Sequence, residues 1–128
     1  MTDPVIDSAV IIDYMHEHAA ARAFLDPALR VGEPVIHTIT AAEVLMGARN
    51  AADLRQTNRF LRQFALIAPT ADDSLHSLQL LRGLKLSHGI GWPDCLIAAT
   101  CLRLGHTLAT TNVKHFRAVQ GLRVVRPY

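Results

Sequence analysis

The sequence predicts an α/β domain in which a central, mainly parallel sheet of four to five short strands is flanked by helices. Two observations predict it. Short apolar runs alternate along the chain with segments of helical periodicity, the pattern of strands that pair in parallel beneath helices. Half of the 128 residues are apolar and only 19% are charged, which suffices for a core in a chain too long to need disulfide or metal staples. That length points to a single domain spanning residues 1–128.

The elements follow in order. Pro4-Val5-Ile6-Asp7 reads as the first strand, and Ser8 as the N-cap of a helix over 9–15. A second helical piece over 17–25 is expected to stop at Asp26-Pro27, because the residue before a proline avoids the α region. Gly32 leads into a second strand at 34–38, and a helix over 40–49 stops near Asn50. Asp53 reads as the cap of an amphipathic stretch reaching Ala65, with Leu54, Leu61 and Phe64 apolar, and 66–68 as a short strand ended by Pro69. A long helix over 71–88 carries Leu75, Leu78, Leu81 and Leu86 at near-helical spacing. After a loop at 89–92, Pro93 suits the first position of a helix that runs to Leu104 and ends at Gly105. Strands at 107–110 and 122–125 complete the sheet.

Composition narrows the function. A net charge of +2 is too small to bind nucleic acid by its field alone. Eleven of the thirteen basic residues are nevertheless Arg, whose fork suits phosphate. An aromatic share of 5% argues against a surface that stacks many bases. No apolar run approaches the roughly 18–20 residues of a membrane span. The opening MTDPVID has no basic region followed by an apolar stretch. The chain is therefore expected to be soluble, cytoplasmic and free of membrane. Cys95 and Cys101 would lie on different sides of one helix and read as small core residues.

Three carboxylates sit in apolar company. Asp7 ends the first strand, Glu43 lies within 39–46, and Asp94 within 92–99. A buried carboxylate without a partner costs several kcal/mol or takes up a proton. Meeting around a hard cation such as Mg²⁺ or Mn²⁺, beyond the carboxyl ends of the strands, would relieve that cost. Each acid also has a plainer alternative. Asp7 would cap the helix after it. Thr40-Ala41-Ala42-Glu43 has capping-box spacing, and Asp94 beside Pro93 would meet a helix dipole favourably. Asp13 is expected to face solvent or an Arg. Arg55, Arg59 and Arg62 share a helix face and read as solvated, the alternative being a rim that contacts phosphate or a partner.

Four segments then carry a family resemblance. Val5-Ile6-Asp7-Ser8-Ala9-Val10-Ile11-Ile12-Asp13-Tyr14 resembles the opening strand and helix of PIN-domain ribonucleases. The stretch from Thr38 to Ala48, the stretch from Trp92 to Thr100 and the stretch from Ala109 to Phe116 are similar to the family's second, third and fourth segments. All four come in the family's order and cover nearly the whole chain, and length and spacing are most similar to VapC-type toxins of bacterial toxin–antitoxin pairs.

The resemblance implies a PIN-like fold and a metal-dependent endoribonuclease. Such an enzyme cuts structured RNA, a tRNA or an rRNA loop, with metal-activated water, leaving 5′-phosphate and 3′-hydroxyl ends. It implies a homodimer, held inactive by a cognate VapB-type antitoxin that inserts a peptide into an acidic groove. By position, Asp7 and Asp94 would be the principal Mg²⁺ ligands, with Mn²⁺ as a substitute, and Glu43 would complete the site. Ser8 and Thr110 would supply hydroxyls that steady carboxylates and waters. Asn112 matches the family's usual Asn and would orient a water, although an amide cannot serve as a base. Lys114 and Arg117, beside the fourth segment, would contact the RNA backbone. The dimer would form through early helices around Ile12, Tyr14 and Leu25.

One position departs from the pattern. Where the family often carries an acid just before the Phe, this chain has His115, expected in a surface loop rather than on a phosphate. A catalytically weak PIN-fold module that binds RNA or antitoxin is therefore the alternative. A small α/β phosphate-ester hydrolase ranks third, since neither a nucleophile motif nor a Gly-rich phosphate loop is present.

Overall fold

A computed structural model describes residues 4–128. Its strands are β1 (Val5–Ile6), β2 (Val35–His37), β3 (Ala65–Ile67), β4 (Leu108–Ala109) and β5 (Val124–Val125). Its helices are α1 (Ser8–Met15), α2 (Ala19–Val31), α3 (Thr38–Met46), α4 (Ala51–Leu61), α5 (Ala71–His88), α6 (Trp92–Leu104) and α7 (Val113–Arg117). The five strands form one sheet in the order β3-β2-β1-β4-β5, every pairing parallel. The register Val5↔Val35 and Ile6↔Ala109 brings Asp7 and Thr110, just past β1 and β4, together with His37, the last residue of β2.

Alternation along the strands divides the core between the two faces of the sheet. Val5 and Leu108 pack with Ile90, Ile97, Cys101 and Phe116, on the side of α5 and α6. Ile6, Ile36 and Ala109 pack with Val10, Ile11, Leu25, Val44 and Phe64, on the side of α1 to α4. Residues Cys95 through Cys101 of α6 are all buried, and both cysteines are free thiols. No helix among the described residues is long and apolar enough to cross a membrane.

Several local expectations are corrected. The helix expected to end at Asp26-Pro27 runs through the proline to Val31. Burial of Leu25 at 0% exposure, and packing of Leu29 beyond the proline, outweigh the lost backbone donor. Asp26 is meanwhile held by the Tyr14 hydroxyl at 2.5 Å. Asp7, not Ser8, is the N-cap of α1, and Ser8 is its first residue. Asn50, not Asp53, caps α4 by accepting the Asp53 N–H at 2.9 Å, and α4 stops at Leu61 so that Ala65 can start β3. Trp92 precedes Pro93 in α6. In α5 the core is met by Leu80, Leu81 and Leu84, while Leu75, Leu78 and Leu86 point outward. Leu25, expected at a dimer surface, lies in the core. Asp13 is half-buried and accepts from the Tyr128 hydroxyl at 2.5 Å rather than from an Arg.

Candidate active site

The site is built on the ends of β1, β2 and β4. Asp7 leaves β1 in an extended conformation and its side chain makes no cap bond to α1. The carboxylate instead accepts from the Thr110 hydroxyl at 2.7 Å. That hydroxyl oxygen in turn accepts the Asn112 N–H at 3.0 Å. Asp7 is 5% exposed, and burial pushes its pKa up against the downward pull of Thr110 and of the Ser8 backbone.

Glu43 is delivered by α3, and α3 is anchored by a residue that sequence reasoning missed. His37 caps it: Nδ1 accepts the Ile39 N–H at 2.9 Å. The ring proton therefore sits on Nε2, which donates to Thr100 Oγ1 at 3.0 Å, and Thr100 donates to the Leu96 carbonyl at 3.0 Å. His37 is wholly buried, and burial pushes its pKa down to about 4. The capping-box alternative for Thr40 and Glu43 falls, because both lie inside α3. Glu43 is hydrogen-bonded by Ser8, and burial of its carboxyl followed by the charge of Asp7 raises its pKa.

Asp94 stands in the first turn of α6. Burial pushes its pKa up to about 6, with the charges of Asp7 and then Glu43 adding to the rise and His115 opposing it. Three carboxyls from β1, α3 and α6 thus sense one another. The fourth segment adds α7, a short helix absent from the sequence reading, and this puts His115 at the site rather than in a surface loop. Its Nδ1 lies 2.8 Å from Asn112 Nδ2 and 3.8 Å from Asp94 Oδ2. Lys114 and Arg117 are exposed on the same helix.

Among the described residues no three His, Cys, Asp or Glu side chains form a ready-made cation cage. The donors nevertheless suit a hard divalent ion, which binds through one or two carboxylates and keeps several waters. They are oxygen ligands only, their charges raise one another's pKa, and a cation would relieve that repulsion. A groove of about 610 Å³ opens beside Glu43 and runs past Ile12, Met15, Val44, Arg49 and Gln56. Arg55 and Arg59 are exposed on α4, and Arg62 is exposed at its C-cap.

The comparisons with known proteins agree with this layout. The PIN domain matches residues 5–122. Ribonuclease VapC10 of Mycobacterium tuberculosis is 33% identical over 120 residues, covering 93% of this chain and 90% of that one. Ribonuclease VapC19 of the same organism is 31% identical over 114 residues, covering 88% and 90%. A toxin–antitoxin complex from Klebsiella pneumoniae contains a chain that superimposes with a TM-score of 0.79 at 27% identity, covering 98% of each chain.

Proposed function

This chain belongs to the PIN-domain family, and from that premise we propose that it is a VapC-type toxin: a Mg²⁺- or Mn²⁺-dependent endoribonuclease of the cytoplasm that cleaves structured RNA. The observation that carries the reading is the meeting of Asp7, Glu43 and Asp94, each with a raised pKa, at the carboxyl ends of a parallel sheet.

Asp7, Asp94 and Glu43 are the residues that would hold the ion. When bound, a divalent ion lowers the pKa of a water and draws charge from the phosphoryl oxygens. The chain's own residues do the rest. Thr110 fixes the rotamer of Asp7 and favours its ionised form against the cost of burial. Ser8 does the same for Glu43. With no ion bound, Asp94 has a pKa of about 6, so ion binding near neutrality would compete with a proton for this carboxylate. The Asn112 amide orients water and steadies His115.

The relatives' complexes support a protein partner for this chain, a cognate VapB-type antitoxin. The groove beside Glu43, apolar along Ile12, Met15 and Val44 and acidic at its end, would receive its peptide. A homodimer is also proposed, with the outward leucines of α5 as its contact. The test of the enzymatic reading is direct. Asp7→Asn and Asp94→Asn should abolish RNA cleavage and growth arrest while the circular dichroism spectrum stays unchanged. Wild-type cleavage by either folded variant in Mg²⁺ would remove the assignment.

A further inference from the structure

We propose that the cleft between β5 and the turn leading into α7 seats a backbone phosphate of RNA next to the one being cleaved. The proposal rests on the ribonuclease reading and deepens it. The cleft has a volume of about 410 Å³, and Lys114, Arg117 and Arg126 line it together with Asn112 and Val124. Three cations and no carboxylate line it. Among the described residues, the side chains of Lys114 and Arg117 are in no ion pair. Arg126 is fixed in the wall: its Nη1 donates to the Thr111 carbonyl at 2.9 Å and its Nε to the main-chain oxygen of Tyr128 at 3.1 Å.

The cleft adjoins the acids. Asn112 lines it, and the Asn112 amide lies 2.8 Å from His115, which itself lies 3.8 Å from Asp94. A polyanion approaching three carboxylates is repelled, and a net charge of +2 over the whole chain cannot supply the attraction. Unpaired cations immediately beside the acids can. A strand whose reacting phosphodiester lies on the carboxylates then sets its neighbouring phosphate among Lys114, Arg117 and Arg126. The shared chemistry is a phosphate anion, free or in a backbone; the flanking acids favour a ligand that is tethered there by more than one charge.

The test separates binding from cleavage. The Asp94→Asn chain, in chelator, is titrated into a fluorescent single-stranded oligoribonucleotide of about ten nucleotides at several salt concentrations. Lys114→Gln and Arg117→Gln, both exposed, should each weaken binding several-fold. Each should also reduce the slope of log affinity against log salt by about 0.7, the loss of one phosphate contact on a single strand. Arg30→Gln, on α2, should change neither. Inorganic phosphate should displace the oligonucleotide only at tens of millimolar, roughly where non-specific screening acts. Unchanged affinity and slope in both variants would overturn the seat, as would displacement by phosphate below a millimolar. RNA left intact by the unaltered chain in Mg²⁺ or Mn²⁺ would instead overturn the ribonuclease reading, and the slope is measured independently of it.

Discussion

The Thr110 hydroxyl donates to Asp7 Oδ2 across 2.7 Å, joining two residues that lie 103 positions apart. The parallel pairing of β1 and β4 creates this contact, since Ile6 is in register with Ala109 and each strand ends one residue before the pair. Burial raises the Asp7 pKa while the hydroxyl lowers it. The bond therefore does more than fix a rotamer; it favours the charged form of a buried carboxyl against the cost of burial.

Thr110→Val keeps shape and volume and removes the donor. The Asp7 pKa should rise further, so the acid limb of the cleavage profile should move to higher pH. A hydrogen bond to a charged group is worth about 1.5–3 kcal/mol, so cleavage below neutrality should fall by about tenfold or more and recover partly in alkali. Thr110→Ser should behave as wild type. A Thr110→Val profile that falls equally at every pH would mean that the contact only supports the fold.

His115 stands 3.8 Å from Asp94 at the place where the fourth segment meets the acids. His115→Asp should add a fourth carboxylate to the cluster. Mn²⁺ binds the folded state and should raise the melting temperature of the wild type by mass action. The gain should be larger in His115→Asp and smaller in Glu43→Gln. It should shrink in all of them as pH falls and protons compete for the same oxygens. Equal Mn²⁺ shifts in His115→Asp and wild type would place this position outside the cation's reach.

How much of this was legible in the sequence depends on how local the determinant is. The alternation of apolar runs revealed the parallel sheet, and the acids stood out because carboxylates amid Val5-Ile6, Val44-Leu45 and Leu96-Ile97 need a reason. What stayed hidden depends on tertiary packing. Pro27 lies within a helix because Leu25 and Leu29 are drawn into the core on either side of it. His37 caps α3 with a ring nitrogen, and its Thr100 partner lies 63 residues away. A His between an apolar strand and Thr38-Ile39-Thr40 was the available signal. The α5 leucines misled for a related reason: both faces of that helix carry leucine, and periodicity cannot tell which one a neighbour covers.

The outward leucines lead to a prediction about assembly. Leu75, Leu78 and Leu86 are 64%, 40% and 95% exposed, and on a helix they fall within one outward stripe. Leu78→Glu with Leu86→Glu removes apolar surface that the isolated chain does not bury. The double variant should keep its fold and sediment as a monomer at concentrations where the wild type is a dimer. Wild type and variant with the same mass would show that α5 is not the contact.

The last prediction concerns pH and stability, where two buried groups act in opposition. His37 is neutral in the fold down to about 4, against 6.5 when unfolded. Between those values the unfolded chain binds more protons, so this residue's contribution falls as pH drops from 6.5. Asp94 has the opposite sign. Its folded value is about 6 against 3.8, so the fold binds more protons, and stability rises as pH drops through 6. Each shift exceeds two pH units, on the order of 3 kcal/mol, and the windows overlap. In the absence of divalent metal the wild type should therefore lose no stability between pH 6.5 and about 4.5, since the raised carboxyls of Asp7 and Glu43 act in the same direction as Asp94. Asp94→Asn deletes one side of the balance. The variant should be more stable than wild type at pH 7, where the like charges of Asp7 and Glu43 no longer face a third. It should then lose more stability than the wild type on acidification, because His37 is opposed by Asp7 and Glu43 without Asp94. Urea unfolding at half-unit steps of pH measures both curves. If they run parallel, Asp94 does not carry a raised pKa in the fold, and the electrostatic coupling of the three acids is wrong.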